Sequence, residues 1–321
     1  MGTDSTPADT PVLLIAWRRP HTLRQVIDAI RPLAPTRIFV ACDGPNPERP
    51  GEAEKVAATR AVIDREIDWA CKVERLYSNV NQGCRTGPIR AISWFFEQVE
   101  EGIILEDDCV PHPDFLSHCS DLLERYRQDT RVWSISGNNH QNGQWRGDGS
   151  YYFSRYTHCW GWATWRRCWQ HYDADLDHWP ALRDSGMLEL IFENQQERDY
   201  WSDIWQRTHS RTVPITWWDY QWFFTCLINS GLSCLPNCNL VSNVGFGEDA
   251  THTIVGDILT VADLGLGELT HPRFVLRDVA ADRYSFDHHF LGPQVPSHRP
   301  LLTRIKSRLH KHWHQLKSTI E

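Results

Sequence analysis

Short apolar runs and longer amphipathic stretches alternate through the first 126 residues. "VLLIAW" (residues 12–17) is a continuous apolar run of strand length, and Pro20 then opens a pattern that puts Leu23, Val26, Ile27 and Ile30 on one helical face. "RIFVACDG" (37–44) reads as a second strand ending in an acid and a glycine, followed by a Pro- and Gly-punctuated loop and a helix over 53–69. "KVERLYS" (72–78) is a third strand and "NQGCRTG" (81–87) a loop. Ile89, Ile92, Phe95, Phe96 and Val99 then mark a helix before a fourth strand at 103–105, with another amphipathic helix over 116–126. Such alternation predicts an α/β fold, a mostly parallel sheet flanked by helices with right-handed crossovers. In these sheets ligands bind beyond the carboxyl ends of the strands. That edge is where the chain places Arg18 and Arg19, Asp43 and Gly44, Asn81 and Arg85, and Glu106, Asp107 and Asp108.

The second half is aromatic and less regular, with dense patches at "THCWGWATWRRCW" (157–169), "TWWDYQWFF" (216–224) and "SNVGFGEDATHT" (242–253). No internal repeat interrupts it. The expected organisation is a disordered leader over 1–11 and one domain over 12–290, with a ligand-binding half at 12–130 and an acceptor-side catalytic half at 131–290. A linker and a basic amphipathic helix would follow over 291–321. In that helix an apolar stripe faces Arg304, Lys306, Arg308, Lys311 and Lys317. Two readings stand for it: a solvated basic face, and peripheral contact with an anionic membrane.

Composition narrows the classes. The net charge of −8 argues against a general nucleic-acid binder. No apolar run has the length of a bilayer span, and the first residues lack the basic and apolar regions of a signal peptide. Ten cysteines then fit reduced thiols and a cytoplasmic setting. Cys234 and Cys238 have near-metal spacing without a second pair, which leaves buried free thiols as the simpler reading. The 16 tryptophans fit either an aromatic-lined cleft or a Trp-rich core.

The chemistry concentrates in "GIILEDDCVPHPDF" (102–115), where an apolar strand runs into three consecutive carboxylates. Such a triplet is either a solvated acidic turn before Pro111 or a site for a hard divalent cation, Mg²⁺ or Mn²⁺, bridging to substrate phosphates. Polar groups at three other strand ends favour the second. "NQGCRTGP" could bring backbone near a phosphate with Arg85 pairing to it, or be a plain turn. In "NVGFGEDATHT", His252 is a further candidate toward a metal or phosphate, and the glycines suit a loop closing over a ligand. His288 and His289 have no partner pattern.

These residues resemble the GT-A-fold (Rossmann-like) glycosyltransferases of the inverting N-acetylglucosaminyltransferase I type. "GIILEDDCVPHPDF" is similar to that family's acidic signature, "VLLIAWRRP" to its opening strand, "VACDG" to its base-recognising strand end, and "GWATW" and "WWDYQW" to its Gly-Trp and catalytic-base segments. More narrowly the chain resembles bacterial soluble haemolysin-like sugar transferases, over residues 12–255. The resemblance implies Asp108 as metal ligand, with His252 as a second candidate. Glu106 and Asp107 would lie on donor sugar and ribose, with Asp43, Gly44, Asn81, Arg85 and Arg18 or Arg19 on the rest of the donor. Trp160, Gly161, Trp162 and Trp218 would lie on the acceptor side. Asp219 would be the general base, although one acid stands here where the family has two, so a helix-capping aspartate remains the other reading. The implied partners are a nucleotide-sugar donor, UDP-linked with N-acetylglucosamine or a related hexose, and a glycan or lipid-linked acceptor. A sugar nucleotidyltransferase would want a glycine-rich loop after the first strand, and "AWRRPHT" has none. A non-catalytic carbohydrate-binding or membrane-active protein would leave the polar strand ends without a role.

Overall fold

The computed structural model describes residues 7–245 and 265–291. It divides into two units, Met1–Asp282 and Arg283–Glu321. The first opens with β1 (Val12–Ala16), α1 (Pro20–Ile30), β2 (Arg37–Cys42), α2 (Glu52–Glu66), β3 (Lys72–Tyr77), α3 (Gly83–Gln98), β4 (Glu101–Glu106), β5 (Cys109–Pro111) and α4 (Asp114–Arg125). The expected alternation is there, and each apolar run is a strand buried on both faces. Next come β6 (Val132–Ser136), β7 (Tyr151–Ser154), β8 (Trp162–Trp165), α5 (Arg166–Trp169), α6 (Trp179–Asp184), α7 (Leu188–Ile191), α8 (Gln195–Ser210), α9 (Asp219–Ile228), β9 (Leu232–Pro236), β10 (Val241–Asn243) and α10 (Val279–Ser285). In the second unit, a turn of π-helix covers Phe286–Phe290, and Tyr284 stacks on His288 with ring centroids 3.9 Å apart.

The main sheet has eight strands in the order β3-β2-β1-β4-β8-β6-β9-β7. Its first four are parallel, and β8 then joins antiparallel to both β4 and β6. A separate ribbon pairs β10 antiparallel with β5. Because β2 and β3 build outward on one side of β1 and β4 lies on the other, the strand order reverses between β1 and β4. The crevice at such a reversal is where a doubly wound sheet receives its ligand. Register puts Ile15 opposite Glu106 there. The candidate residues after β1 and β4 therefore meet at the switch point.

One helix departs from expectation. Residues 83–87, read as loop, are the first turn of α3, despite Pro88 inside the helix. The cause is non-local. The Asp43 carboxylate, at the end of β2, accepts from the backbone N–H groups of Gln82 and Gly83 and so caps the helix from another strand.

The core between sheet and helices extends into a cluster of indoles. Trp162 and Trp218 stack with centroids 5.8 Å apart at 30°, and Trp169 and Trp222 close the group. This is where much of the tryptophan excess goes. No helix of the described residues is long and apolar enough to cross a membrane.

Candidate active site

Glu106 ends β4, and Asp107 and Asp108 follow it into a tight turn before β5. Arg19, just ahead of α1, reaches across the switch point and pairs with both aspartates. Its Nη2 lies 2.5 Å from Asp107 Oδ1 and its Nη1 lies 2.7 Å from Asp108 Oδ2. The Trp17 N–H donates to Asp107 Oδ2 at 3.0 Å, and the Val244 N–H donates to the Asp108 carbonyl at 2.9 Å. Gly245 packs so closely over this pair that a Cβ there would lie 2.0 Å from Asp108 Oδ2. Of the two arginines left open by the sequence, Arg19 is thus the one on the carboxylates. Arg18 lies over the Trp17 ring at 4.3 Å, with its Nη1 3.8 Å from buried Glu52.

Three carboxylates face one guanidinium, and the electrostatics record the imbalance. Burial, then the Asp108 charge, push the Glu106 carboxyl up to about 8, with Asp107 and Asp219 adding and Arg19 opposing. Burial also lifts Asp107, to about 6, although Arg19 and the Trp17 N–H both favour its charged form. Burial disfavours the Arg19 charge, but the aspartates outweigh it and hold the guanidinium above its ordinary value. An all-oxygen donor set with excess negative charge fits a hard divalent cation. A cation bound through Asp108 would compete with the Arg19 contact. His252 lies outside the described residues.

Asp219 is the first residue of α9, where a negative charge suits the helix dipole. Tyr172 fixes the preceding turn by donating to the Trp218 carbonyl at 2.8 Å. The Asp219 charge is felt at Glu106, and also at Cys159 and Tyr172. The Cys159 thiol is pushed well above the ordinary value, chiefly by burial and then by the Asp219 and Glu106 charges.

The Gly-Trp segment runs past the same point. Pairing of Ile104 with Trp162 sets Trp160 and Gly161 beside the end of β4. Gly161 has φ 67°, and a Cβ there would meet Val241 Cγ2 at 2.6 Å and Leu105 Cδ2 at 3.3 Å, so glycine is required twice over. Trp160 is half-buried and its N–H donates to Asn138 Oδ1 at 3.0 Å. Trp162 and Trp218, expected on the acceptor side, are 1% and 6% exposed. Both are core residues, because the indole cluster takes their faces.

On the β2 side, the Asp43 oxygens accept from Gly44 N at 2.8 Å, Gln82 N at 2.9 Å, Gly83 N at 3.1 Å and Asn81 Nδ2 at 3.0 Å. A carboxylate has about four acceptor sites, so the chain itself engages Asp43 almost completely. Asn81 and the Trp17 indole also donate to the Gly44 carbonyl, at 3.3 and 3.0 Å. Asp43 therefore organises the 81–83 loop. Arg85 turns away to Asp175, at 2.6 Å. Sequence reasoning missed Trp17 and Asp175, while Gly245 belongs to the glycine-punctuated loop expected to close over a ligand. Trp17 reads as the last residue of an apolar strand, although it lies past β1, and nothing local marks Asp175.

No protein-family model matches the chain, and no curated protein does. Similar solved structures include an active-site mutant of LgtC, with TM-score 0.37, 10% identity, and coverage of 70% of this chain and 72% of that one. Another is the 4-diphosphocytidyl-2C-methyl-D-erythritol synthase from Anaerococcus prevotii, with TM-score 0.36, 6% identity, and 71% and 88% covered. A third is a cytidylyltransferase from Leptospira borgpetersenii, with TM-score 0.34, 11% identity, and 59% and 73% covered. At these scores none of them assigns a chemistry to this chain.

Proposed function

We propose that the chain is a metal-dependent inverting glycosyltransferase that moves a hexose from a nucleotide-diphosphate donor to an acceptor hydroxyl. The observation that carries this reading is the convergence at the switch point. Three carboxylates and Arg19 gather there, and Asp219 arrives from 111 residues beyond Asp108 within range of Glu106. Inverting transfer needs one base and no enzyme nucleophile, together with positive charge on the departing diphosphate.

Asp108 would hold Mn²⁺ or Mg²⁺, with the charge of Asp107 behind it; when bound, the ion supplies Lewis-acid neutralisation of the diphosphate. Arg19, released from Asp108, is placed to take a phosphate oxygen while keeping Asp107. Glu106 would hydrogen-bond a hydroxyl of the donor sugar. Asp219 takes the acceptor proton, held in place by the Tyr172 contact to its turn. Trp160 and Gly161 line the acceptor's approach. Asp43 acts through the 81–83 loop that it fixes, and Asn81 through the same loop.

Calorimetry with UDP- and GDP-sugars, with and without Mn²⁺, tests the donor half. Asp108→Ala should abolish metal-dependent binding, and donor binding indifferent to metal and substitution sinks the assignment. Asp219→Asn should keep donor binding and lose turnover about 10³-fold. Release of pyrophosphate from a nucleoside triphosphate and a sugar 1-phosphate would instead mark a nucleotidyltransferase.

A further inference from the structure

Arg85 leaves the first turn of α3 and donates through Nη2 to Asp175 Oδ1 at 2.6 Å and to the Ala174 carbonyl at 2.8 Å. Arg211, in the left-handed conformation at the end of α8, donates to the same Asp175 oxygen at 2.6 Å. The Arg211 hydrogen bond, with Arg85 behind it, holds the Asp175 carboxyl below the ordinary carboxylate range in spite of partial burial. Two guanidiniums thus share one ionised carboxylate, and the group keeps a net positive charge in a chain whose own net charge is −8. Arg85 Nε is buried and makes no hydrogen bond among the described residues.

Both arginines line a cavity of ≈ 420 Å³ whose other walls are Thr212, Val213, Pro214 and Ile215. No carboxylate is among these lining residues. The 211–215 segment leads within four residues to Asp219. Tyr172, which fixes the turn before Asp219, feels the charges of both Asp219 and Arg85. The planar guanidinium fork matches phosphate and carboxylate oxygens in a way that a lysine does not.

We propose that Arg85 and Arg211 form an anion subsite for a phosphate or carboxylate carried by the acceptor sugar, which makes the acceptor an acidic glycan. The word acceptor rests on the glycosyltransferase reading; the anion subsite does not. A donor diphosphate belongs at Arg19 and the acidic turn, whereas this pair stands on the Asp219 side.

The test uses the full chain, titrated by NMR line broadening and calorimetry with inorganic phosphate in one arm and glucuronate in the other. The tighter arm identifies the anion. Arg211 is 62% exposed at its side chain, so Arg211→Gln should fold normally and weaken the preferred anion about tenfold. Asp175→Asn removes the internal competitor and should tighten binding several-fold. Anion affinity unchanged in both variants overturns the subsite. So does competitive displacement of the anion by a UDP-sugar, which would give the arginines to the donor. A chain that binds the anion in this Arg211-dependent way but binds no nucleotide sugar leaves the subsite standing and fails the glycosyltransferase reading, so the two failures are separable.

Discussion

Two acidic clusters are buried in the first unit, and they solve the burial of charge in opposite ways. At the switch point, Glu106, Asp107 and Asp108 share Arg19 alone as a close cationic partner among the described residues. Behind β7, Glu197 and Asp282 are matched by Arg155 and Arg277. There Tyr156 donates to Glu197, Ser154 and Arg277 donate to Asp282, and Arg155 Nη1 caps the Ile191 carbonyl at 2.7 Å. The second cluster is balanced in charge and its acceptors are filled by residues of the chain. The first holds surplus negative charge. Burial raises the carboxyls of both clusters, but of these four only Glu106 has a neighbouring carboxylate, Asp108, as its next largest influence, where Asp107, Glu197 and Asp282 have an arginine that opposes the rise. Buried carboxylates as such are therefore no sign of a site. Charge left without an internal partner is the sign, because its cost is recovered only when a cation binds.

The comparison breaks most readily at Asp282. Asp282→Ala removes the acceptor of Ser154 and Arg277 and leaves Arg155 and Arg277 with Glu197 alone. Breaking a buried ion pair by deleting one partner costs about 3–5 kcal/mol, and urea denaturation should show a loss of that size. Donor binding should be unaffected at temperatures where the variant is folded. A loss under about 1 kcal/mol would mean that the balanced cluster is no more structural than the acidic turn.

A third buried group sharpens the contrast by giving up its charge. His118 of α4 is 2% exposed, neither ring nitrogen has a hydrogen-bond partner among the described residues, and burial pushes its pKa down to about 3. The groups facing it are Tyr151 and His271, with Asp121 acting on His271 in turn. The unfolded imidazole protonates near 6.5 and the folded one near 3, so this contribution is whole above pH 6.5 and is lost as pH falls from 6.5 toward 3. One extra proton taken up on unfolding corresponds to a slope of about 1.4 kcal/mol per pH unit. His118→Leu should remove that slope between pH 6 and 4 from the stability curve, whatever it does to absolute stability. An unchanged slope would mean that His118 is already protonated in the folded chain.

Much of this was legible in the residues, and what was not is non-local. The strands of the first half announce themselves as apolar runs, and the acidic turn stands out because three like charges follow one of them. Asp219 stands out as the acid of "WWDYQW", and its charge is felt at Glu106. The start of α3 was not legible, since its cap is Asp43, 40 residues before Gly83. Arg18 and Arg19 are chemically equivalent until the switch point exists to receive one of them. Trp162 and Trp218 show the same limit, because an indole suits a sugar face and a core equally well. The antiparallel insertion of β8 between β4 and β6 buries Trp162, and Trp218, at the start of α9, stacks on it. Asp175 takes its meaning from Arg85 and Arg211, which reach it from opposite sides along the chain.

The smallest expected effect is the most discriminating, since it asks whether the acidic turn contributes to stability at all. Asp108→Asn deletes one ion pair with Arg19, which keeps Asp107 at 2.5 Å. It also deletes the largest repulsive charge acting on Glu106. The pair is largely buried, with side chains 17% and 10% exposed, but Arg19 keeps Asp107 as a partner, so the loss stays below the cost of an orphaned buried charge and is comparable with the relief of repulsion between carboxylates. The two terms oppose each other, so urea denaturation without divalent cations should place the variant within about 1 kcal/mol of the parent, on either side. Added Mn²⁺ should then raise the stability of the parent by mass action and leave that of Asp108→Asn unchanged. A loss beyond about 2 kcal/mol without metal would make the Arg19–Asp108 pair a fastening of the fold. The acidic turn would then join the Asp282 cluster as structure, and the surplus charge would no longer point to a bound cation.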